Sequence, residues 1–243
     1  MKIFKSFLVL CLLTITGTAY AYSHVVRLSL LEYSDFQSFE NELYISSSIP
    51  ETGQQKVHEL LHEARTRISD QYGQPQAQPQ VVVLESAEEL ERFKLYDLPG
   101  TLLFAPWGNY LLLNYGDLSL DVTAHELVHA EVVERVGYLN RQRYIPSWFD
   151  EGAAMQVDHR PQYDLEKALN QAEFERVIDL DSPGKFWTRD RQQNIENYRS
   201  SKHVVAEIFE HTGADLYMML EKVRRGDTGV IARAVTEARA QRN

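Results

Sequence analysis

The residues TAHELVHAEVV at positions 123–133 lie within a run that helical periodicity assigns to one helix, over about 119–136. Two histidines spaced four residues apart, here His125 and His129, point from one face of a helix and can bind the same metal ion. A glutamate directly after the first histidine, here Glu126, can act as general base on a water molecule that the metal activates. The stretch therefore predicts a helix that carries a metal site.

A second copy of this pattern, HELLH, occupies positions 58–62, and helical periodicity separates the two copies. In the helix predicted for about 51–72, His58 and His62 lie on the flank of the apolar stripe, toward water. In the helix at 119–136, His125 and His129 fall inside the arc formed by Val122, Val132, Val133 and Val136. We therefore expect the first copy to be a structural coincidence and the second copy to be the metal site.

The burial expected for His125 and His129 needs an explanation, because two imidazoles without partners are costly in a protein interior. A bound metal is the simplest partner for both side chains. The alternative is a pair of core histidines that bond to backbone groups or to carboxylates.

A third ligand is required, because catalytic zinc takes three protein ligands and keeps a fourth position open. The single cysteine, Cys11, lies in a predicted leader, so the third ligand has to be a histidine or a carboxylate. The segment IPSWFDEGAA at 145–154 opens a new helix, and its Glu151 is the candidate. Asp150 is the rival ligand, and a capping or ion-pairing role for Glu151 is the other alternative. The small residues at 152–154 should let this helix approach the HELVHA helix closely.

HELVHA followed by P-x-W-F-x-E-G resembles the gluzincin metallopeptidases, in particular the small bacterial peptidase MA-like family. The resemblance covers about 40–240 and implies a zincin-like α+β fold with one Zn²⁺ per chain. It implies that His125, His129 and Glu151 are zinc ligands and that Glu126 is the base in the hydrolysis of a peptide or protein substrate. Larger gluzincins orient a ligand histidine with an aspartate four residues after the ligand glutamate. This chain has Met155 there, so that partner has to come from elsewhere.

Further candidates follow from the same resemblance and from the strand pattern. The family tends to carry Tyr-x-x-Ser at the start of a later helix, which matches 198–201. Tyr198 is the candidate donor to the oxyanion, and the alternative is an ordinary tyrosine of an amphipathic helix. His203 is a second candidate, although such a histidine is more often a surface residue. The strand at 110–114 is a candidate sheet edge for an extended peptide, or else its leucines are simply core.

Residues 1–21 have the layout of a secretory signal peptide, with two lysines, an apolar core at 7–13 and the cleavage signature AYA at 19–21. The alternatives are an uncleaved membrane anchor and a lipoprotein signal at Cys11. Cleavage after Ala21 would leave 222 residues with a net charge of −12 and no cysteine. We expect a periplasmic or secreted protein without a stable membrane anchor. The acidic charge argues against nucleic acid as a partner.

The secondary-structure pattern places strands first and helices second, which predicts an α+β arrangement in one domain over 22–243, with a mixed sheet in its N-terminal part. Strands are expected at 24–31, 43–45, 81–84, 101–105 and 110–114, the last two forming a hairpin around 106–109. A capping box of Ser86 and Glu89 predicts a short helix to about residue 95. The other expected helices lie at about 51–72, 119–136, 147–157, 163–172, 191–211, 213–224 and 229–240.

Three functions are consistent with these patterns. The first is a periplasmic or secreted zinc metallopeptidase, and the second is a non-catalytic zinc-binding domain that binds an envelope protein. Glu126 favours the first, because a purely structural zinc site more commonly fills its fourth position with a protein ligand. A helical interaction domain without metal is the third, and it leaves the buried histidines unexplained.

Overall fold

The computed structural model describes residues 23–40, 42–105, 107–164 and 168–242, and its α+β class agrees with the prediction. The predicted signal peptide at 1–21 lies outside these residues. Among the described helices, none has the length and apolar character that a membrane span requires. Contacts divide the chain into two compact units. The first comprises the described residues up to Glu51 together with Gln80–Asp117, and the second comprises Thr52–Pro79 and the residues from Leu118 onward. The expectation of one domain over 22–243 stays a prediction.

The first unit is built on a five-stranded mixed sheet with the order β1-β2-β3-β5-β4. Its strands are β1 (Gln37–Phe39), β2 (Leu43–Ile45), β3 (Gln80–Leu84), β4 (Gly100–Ala105) and β5 (Gly108–Asn114). β3 runs parallel to β2 and β5, whereas β1 and β4 pair antiparallel at the two edges. The predicted hairpin is confirmed, but its strands pair as far as Ala105 and Gly108, so its turn is shorter than expected.

The expectation that the strand at 110–114 is a sheet edge is wrong. β5 lies between β3 and β4, and its leucines at 111–113 are fully buried. The alternative, that these leucines are simply core, is therefore confirmed.

The N-terminal part of this unit corrects a second expectation, since residues 24–31 do not form a strand. They contain a helix, α1 (Ser23–Leu28), which precedes a 3-10 turn at Leu31–Tyr33. Val25, Leu28 and Leu31 are buried while Val26 is exposed. This spacing of three is typical of a helix face, whereas a strand would bury every second residue.

One core cluster of the first unit lies on one face of the sheet. The short helix α3 (Ala87–Arg92) begins at the predicted capping box, in which Ser86 Oγ accepts the Glu89 N–H and the Glu89 carboxylate accepts the Ser86 N–H. This helix ends three residues before the predicted boundary. The residues of the core cluster are Leu28, Leu31, Tyr44, Val82, Leu84, Phe93, Leu95, Tyr110 and Leu112.

The second unit is helical. Its helices are α2 (Glu51–Tyr72), α4 (Leu120–Val136), α5 (Tyr138–Tyr144), α6 (Ser147–Ala154), α7 (Gln171–Ile178), α8 (Pro183–Phe186), α9 (Arg191–Thr212), α10 (Leu216–Arg224) and α11 (Val230–Arg242). α4 begins after Ser119, whose Oγ accepts the Val122 N–H, and it ends at Gly137 with a φ of 79° that favours glycine. α6 packs against both α4 and α9, and this packing positions the candidate site.

Two differences from the predicted helices concern the middle of this unit. The prediction of a helix at 163–172 is wrong. A 3-10 turn occupies Pro161–Tyr163, and α7 starts only after the N-cap Asn170. α5 and α8 were not predicted. None of the residues of α5 is buried. Because an exposed helix needs no apolar stripe, periodicity does not reveal this one.

Candidate metal centre

α4 is buried on most of its surface, and both histidines of its motif lie in the interior, each with 6% of its surface exposed. Glu126, directly after the first of them, is half-buried. On α2, by contrast, His58 and His62 are exposed while Val57, Ala64 and Ile68 are buried. The two faces predicted for the two HExxH copies are therefore confirmed.

Three side-chain atoms of α4 and α6 converge on one point. The Nε2 atoms of His125 and His129 lie 3.2 Å apart. Glu151 Oε2 lies 3.3 Å from the first and 3.4 Å from the second. We call these three residues the triad, and together they form a buried group that could hold a metal ion.

The hydrogen bonding of Glu151 is compatible with a role as a metal ligand. Its Oε2 atom is buried and makes no hydrogen bond within the described part of the chain. A buried carboxylate oxygen without a donor is costly, and a metal ion would satisfy it. Capping does not explain Glu151, because the first turn of α6 has no side-chain cap and Glu151 itself is only 3% exposed.

Gly152 brings α6 against α9. A Cβ atom at this position would lie 2.5 Å from the backbone oxygen of Ser201 and 2.6 Å from Val205 Cγ2. The small residues at 152–154 therefore allow close packing as predicted, but Gly152 itself lies against α9, while α6 also packs against the HELVHA helix. The consequence for the site is that the helix bearing Tyr198 is held directly behind Glu151.

Asp150, the predicted rival ligand, contacts the candidate ligand His129 instead of joining the triad. Its Oδ1 atom lies 3.0 Å from Nδ1 of His129, and its Oδ2 atom lies 2.5 Å from Nη2 of Arg141. Both oxygens thus face away from the Nε2 side of the imidazole. A carboxylate on Nδ1 fixes the ring and leaves Nε2 free to bind a metal.

Asp158 is the carboxylate that neighbours His125. The sequence alone indicated no partner for this histidine. The Oδ2 atom of Asp158 lies 3.7 Å from Nδ1 of His125, which is longer than a hydrogen bond. Arg160 donates from Nε and Nη2 to this fully buried carboxylate. Nδ1 of His125 makes no hydrogen bond within the described residues, and Asp158, three residues beyond Met155, supplies only a nearby carboxylate.

Two of the residues that surround the histidines, Arg141 and Asp158, were not indicated by the sequence. Arg141 lies on α5, which the periodicity does not reveal, and Asp158 follows the end of the helical pattern. The sequence indicates Asp150 as the rival of Glu151 for the third ligand, whereas the structure places its carboxylate on Nδ1 of His129 and on Arg141. The two neighbouring acidic residues at 150–151 were a usable signal of such a site. One of two neighbouring carboxylates can bind a metal ion while the other orients a histidine.

The electrostatics of the triad favour a positive charge. Burial lowers the pKa of His129, but the carboxylates of Glu151 and Asp150 raise it well above its ordinary value. Burial raises the pKa of Glu151, yet the two histidines hold it well below the usual range of a glutamate. Burial raises the pKa of Glu126, although the same histidines partly oppose this. The carboxylates of Glu151 and Asp150 therefore favour a positively charged group beside them.

Tyr198 lies beside the triad on α9, with its ring centroid 6.0 Å from that of His125. The indole Nε1–H of Trp187 donates to its hydroxyl oxygen at 3.0 Å. Burial raises the pKa of the Tyr198 phenol well above its ordinary value, so the hydroxyl keeps its hydrogen and can donate it. His203 is half-buried elsewhere on α9, where it lines a surface pocket with Tyr163 and Lys202.

Comparison with known proteins adds no relative to this description. No protein-family model matches the chain, and neither curated proteins nor solved structures give a match. The candidate site therefore rests on its own geometry.

Proposed function

We propose that this protein is a zinc metallopeptidase of the gluzincin type. It hydrolyses peptide bonds in a peptide or protein substrate, in the periplasm or after secretion. The observation that carries the proposal is the size of the triad, whose three atoms are separated by 3.2, 3.3 and 3.4 Å. Tetrahedral ligands that bind zinc at about 2.0–2.1 Å lie about 3.3–3.4 Å from one another. Two histidines and one carboxylate are also a common ligand set of catalytic zinc.

The residues around the triad supply the rest of the chemistry. When bound at these ligands, zinc polarises the substrate carbonyl and makes a water molecule more acidic. Glu126 removes a proton from the attacking water and delivers a proton to the leaving amine. Tyr198 donates its phenol hydrogen to the oxygen that becomes negative. Asp150 holds His129 in the orientation that directs Nε2 toward the ion.

The test compares the glutamates of the two HExxH copies. Glu126→Gln should retain about one equivalent of zinc and lose cleavage of an unfolded protein substrate by about 10²- to 10⁴-fold. Glu59→Gln, the matched change in the exposed copy, should leave both properties unchanged. Zinc content and cleavage rate are measured on the same preparations.

The other outcomes separate the competing functions. A wild-type protein that holds zinc and cleaves none of a broad panel of envelope proteins would support the non-catalytic zinc-binding domain instead. A folded wild-type protein that binds no metal would overturn both zinc hypotheses.

A further inference from the structure

Trp187 is a large apolar side chain that stays 41% exposed beside the candidate metal centre. Its Nε1–H donates to the hydroxyl oxygen of Tyr198 at 3.0 Å, and the Tyr198 ring in turn lies 6.0 Å from the His125 ring. The phenol of Tyr198 therefore lies between the indole of Trp187 and His125 of the triad.

The segment around Trp187 is fixed to α9 by hydrogen bonds. Asn197 Nδ2 donates to the backbone oxygen of Phe186 at 2.7 Å, and Asn194 bonds both the N–H and the carbonyl of Thr188. Phe186 is fully buried and meets the indole edge-on, with 5.2 Å between ring centroids. Hydrogen bonds to the residues directly before and after Trp187 therefore hold the indole at the surface.

Trp187 also belongs to a row of aromatic rings. Tyr163 is half-buried and also contacts Tyr198, with 5.8 Å between their ring centroids. Aromatic side chains with an apolar face and a satisfied polar atom are typical of contact surfaces. The row therefore offers an apolar wall beside the triad.

We propose that the exposed face of Trp187 binds a large apolar side chain of the substrate, close to the bond that is cleaved. The proposal rests on the proposed peptidase function. Consecutive residues of an extended peptide are about 3.3–3.6 Å apart, so a side chain one or two residues from the reacting carbonyl extends far enough to pass one phenol ring. Trp187 is therefore a specificity-determining residue, and the substrate class is a peptide with an apolar side chain next to the scissile bond.

The test measures binding without cleavage, in the Glu126→Gln background. A peptide that the wild-type protein cleaves is synthesised with serine at each position near the cleaved bond in turn, and its affinity is measured by fluorescence anisotropy. We expect one position at which an apolar side chain improves binding by about 10- to 100-fold. Trp187→Ala should reduce that preference to below about threefold, while Trp187→Phe, which keeps an apolar ring, should retain most of it.

Met218→Ala is the control, because Met218 is 46% exposed on α10 and is not part of the aromatic row. Zinc content equal to that of the parent shows that each variant has kept the site. Retention of the full preference in Trp187→Ala would overturn this inference and leave the proposed function standing. A wild-type protein that cleaves no peptide would overturn both.

Discussion

The two HExxH copies lie on two helices of the same unit, and their surroundings differ in every respect that matters for a metal. On α2, His58 and His62 are exposed to solvent. On α4, His125 and His129 are buried, and Glu151 from another helix meets their Nε2 atoms. What makes a candidate metal centre is the enclosure, with a third ligand and a carboxylate behind the imidazole.

α2 supports the α4 site although its own motif faces water. Arg67 Nη1 donates to Asp121 Oδ1 at 2.6 Å and to the backbone oxygen of Val157 at 2.9 Å. The Tyr72 hydroxyl donates to the backbone oxygen of Ala153 at 2.7 Å. The helix with the exposed motif therefore stabilises the first turn of α4 and the chain that follows Glu151.

The largest expected effect separates the two motifs directly. His129→Ala removes one of three ligands, so we expect the protein to lose its zinc and its cleavage activity together. His62→Ala is the matched change on α2 and should leave the zinc content at about one equivalent. Elemental analysis of the purified variants measures this, with circular dichroism as the check on folding. Loss of zinc in His62→Ala would show that α2 carries the metal.

The next effect concerns Tyr198, a phenol beside the α4 motif. Tyr198→Phe should keep the zinc and lower kcat by about 10²- to 10³-fold, as expected for one donor to the oxyanion, with little change in KM. Tyr163→Phe is the control, since it keeps the ring that contacts Tyr198 and removes only the hydroxyl of Tyr163. A kcat that is equally reduced in both variants would assign Tyr198 a structural role only.

A smaller effect is expected from the carboxylate behind His129. Asp150→Asn keeps the size of the side chain but weakens the bond to Nδ1, so zinc affinity should fall by about 10- to 100-fold in competition with a chelator. Asp181→Asn, in an exposed ion pair with Lys185, is the control. Unchanged zinc affinity in Asp150→Asn would mean that the buried imidazole is oriented by packing alone.

The sequence predicted the features that repeat with a period or that follow a local rule. The capping box at Ser86, the helix at 51–72 and the two different faces of the HExxH helices all belong to this class. The structure shows a capping box of Asn170 and Glu173 at the start of α7, a local signal that the predicted helix at 163–172 did not use.

The features that were missed depend on contacts distant in the sequence. The β-branched residues at 24–31 favour a strand by composition, but burial at every third residue selects the helix α1. Arg141 carries no pattern of its own, and its role follows only from the carboxylate of Asp150. Asp158 likewise acquires its position from the fold, which brings a residue beyond the end of α6 next to His125.

The smallest expected effect tests whether α2 supports α4 through Asp121. Burial alone would raise the pKa of this carboxyl, but the His159 N–H and the Arg67 guanidinium lower it below its ordinary value. The carboxylate therefore stabilises the folded protein above the unfolded-state pKa of about 3.9, and this contribution disappears as the pH falls through the lower folded-state pKa.

Asp121→Asn should lower the free energy of unfolding by about 1–2 kcal/mol at pH 7. Urea unfolding of the metal-free proteins at decreasing pH measures the difference between wild type and variant, which should narrow toward zero. Asp70→Asn, an exposed change on α2, should show no difference at any pH. A difference that stays constant as the pH falls would show that the charge of Asp121 does not connect the two helices.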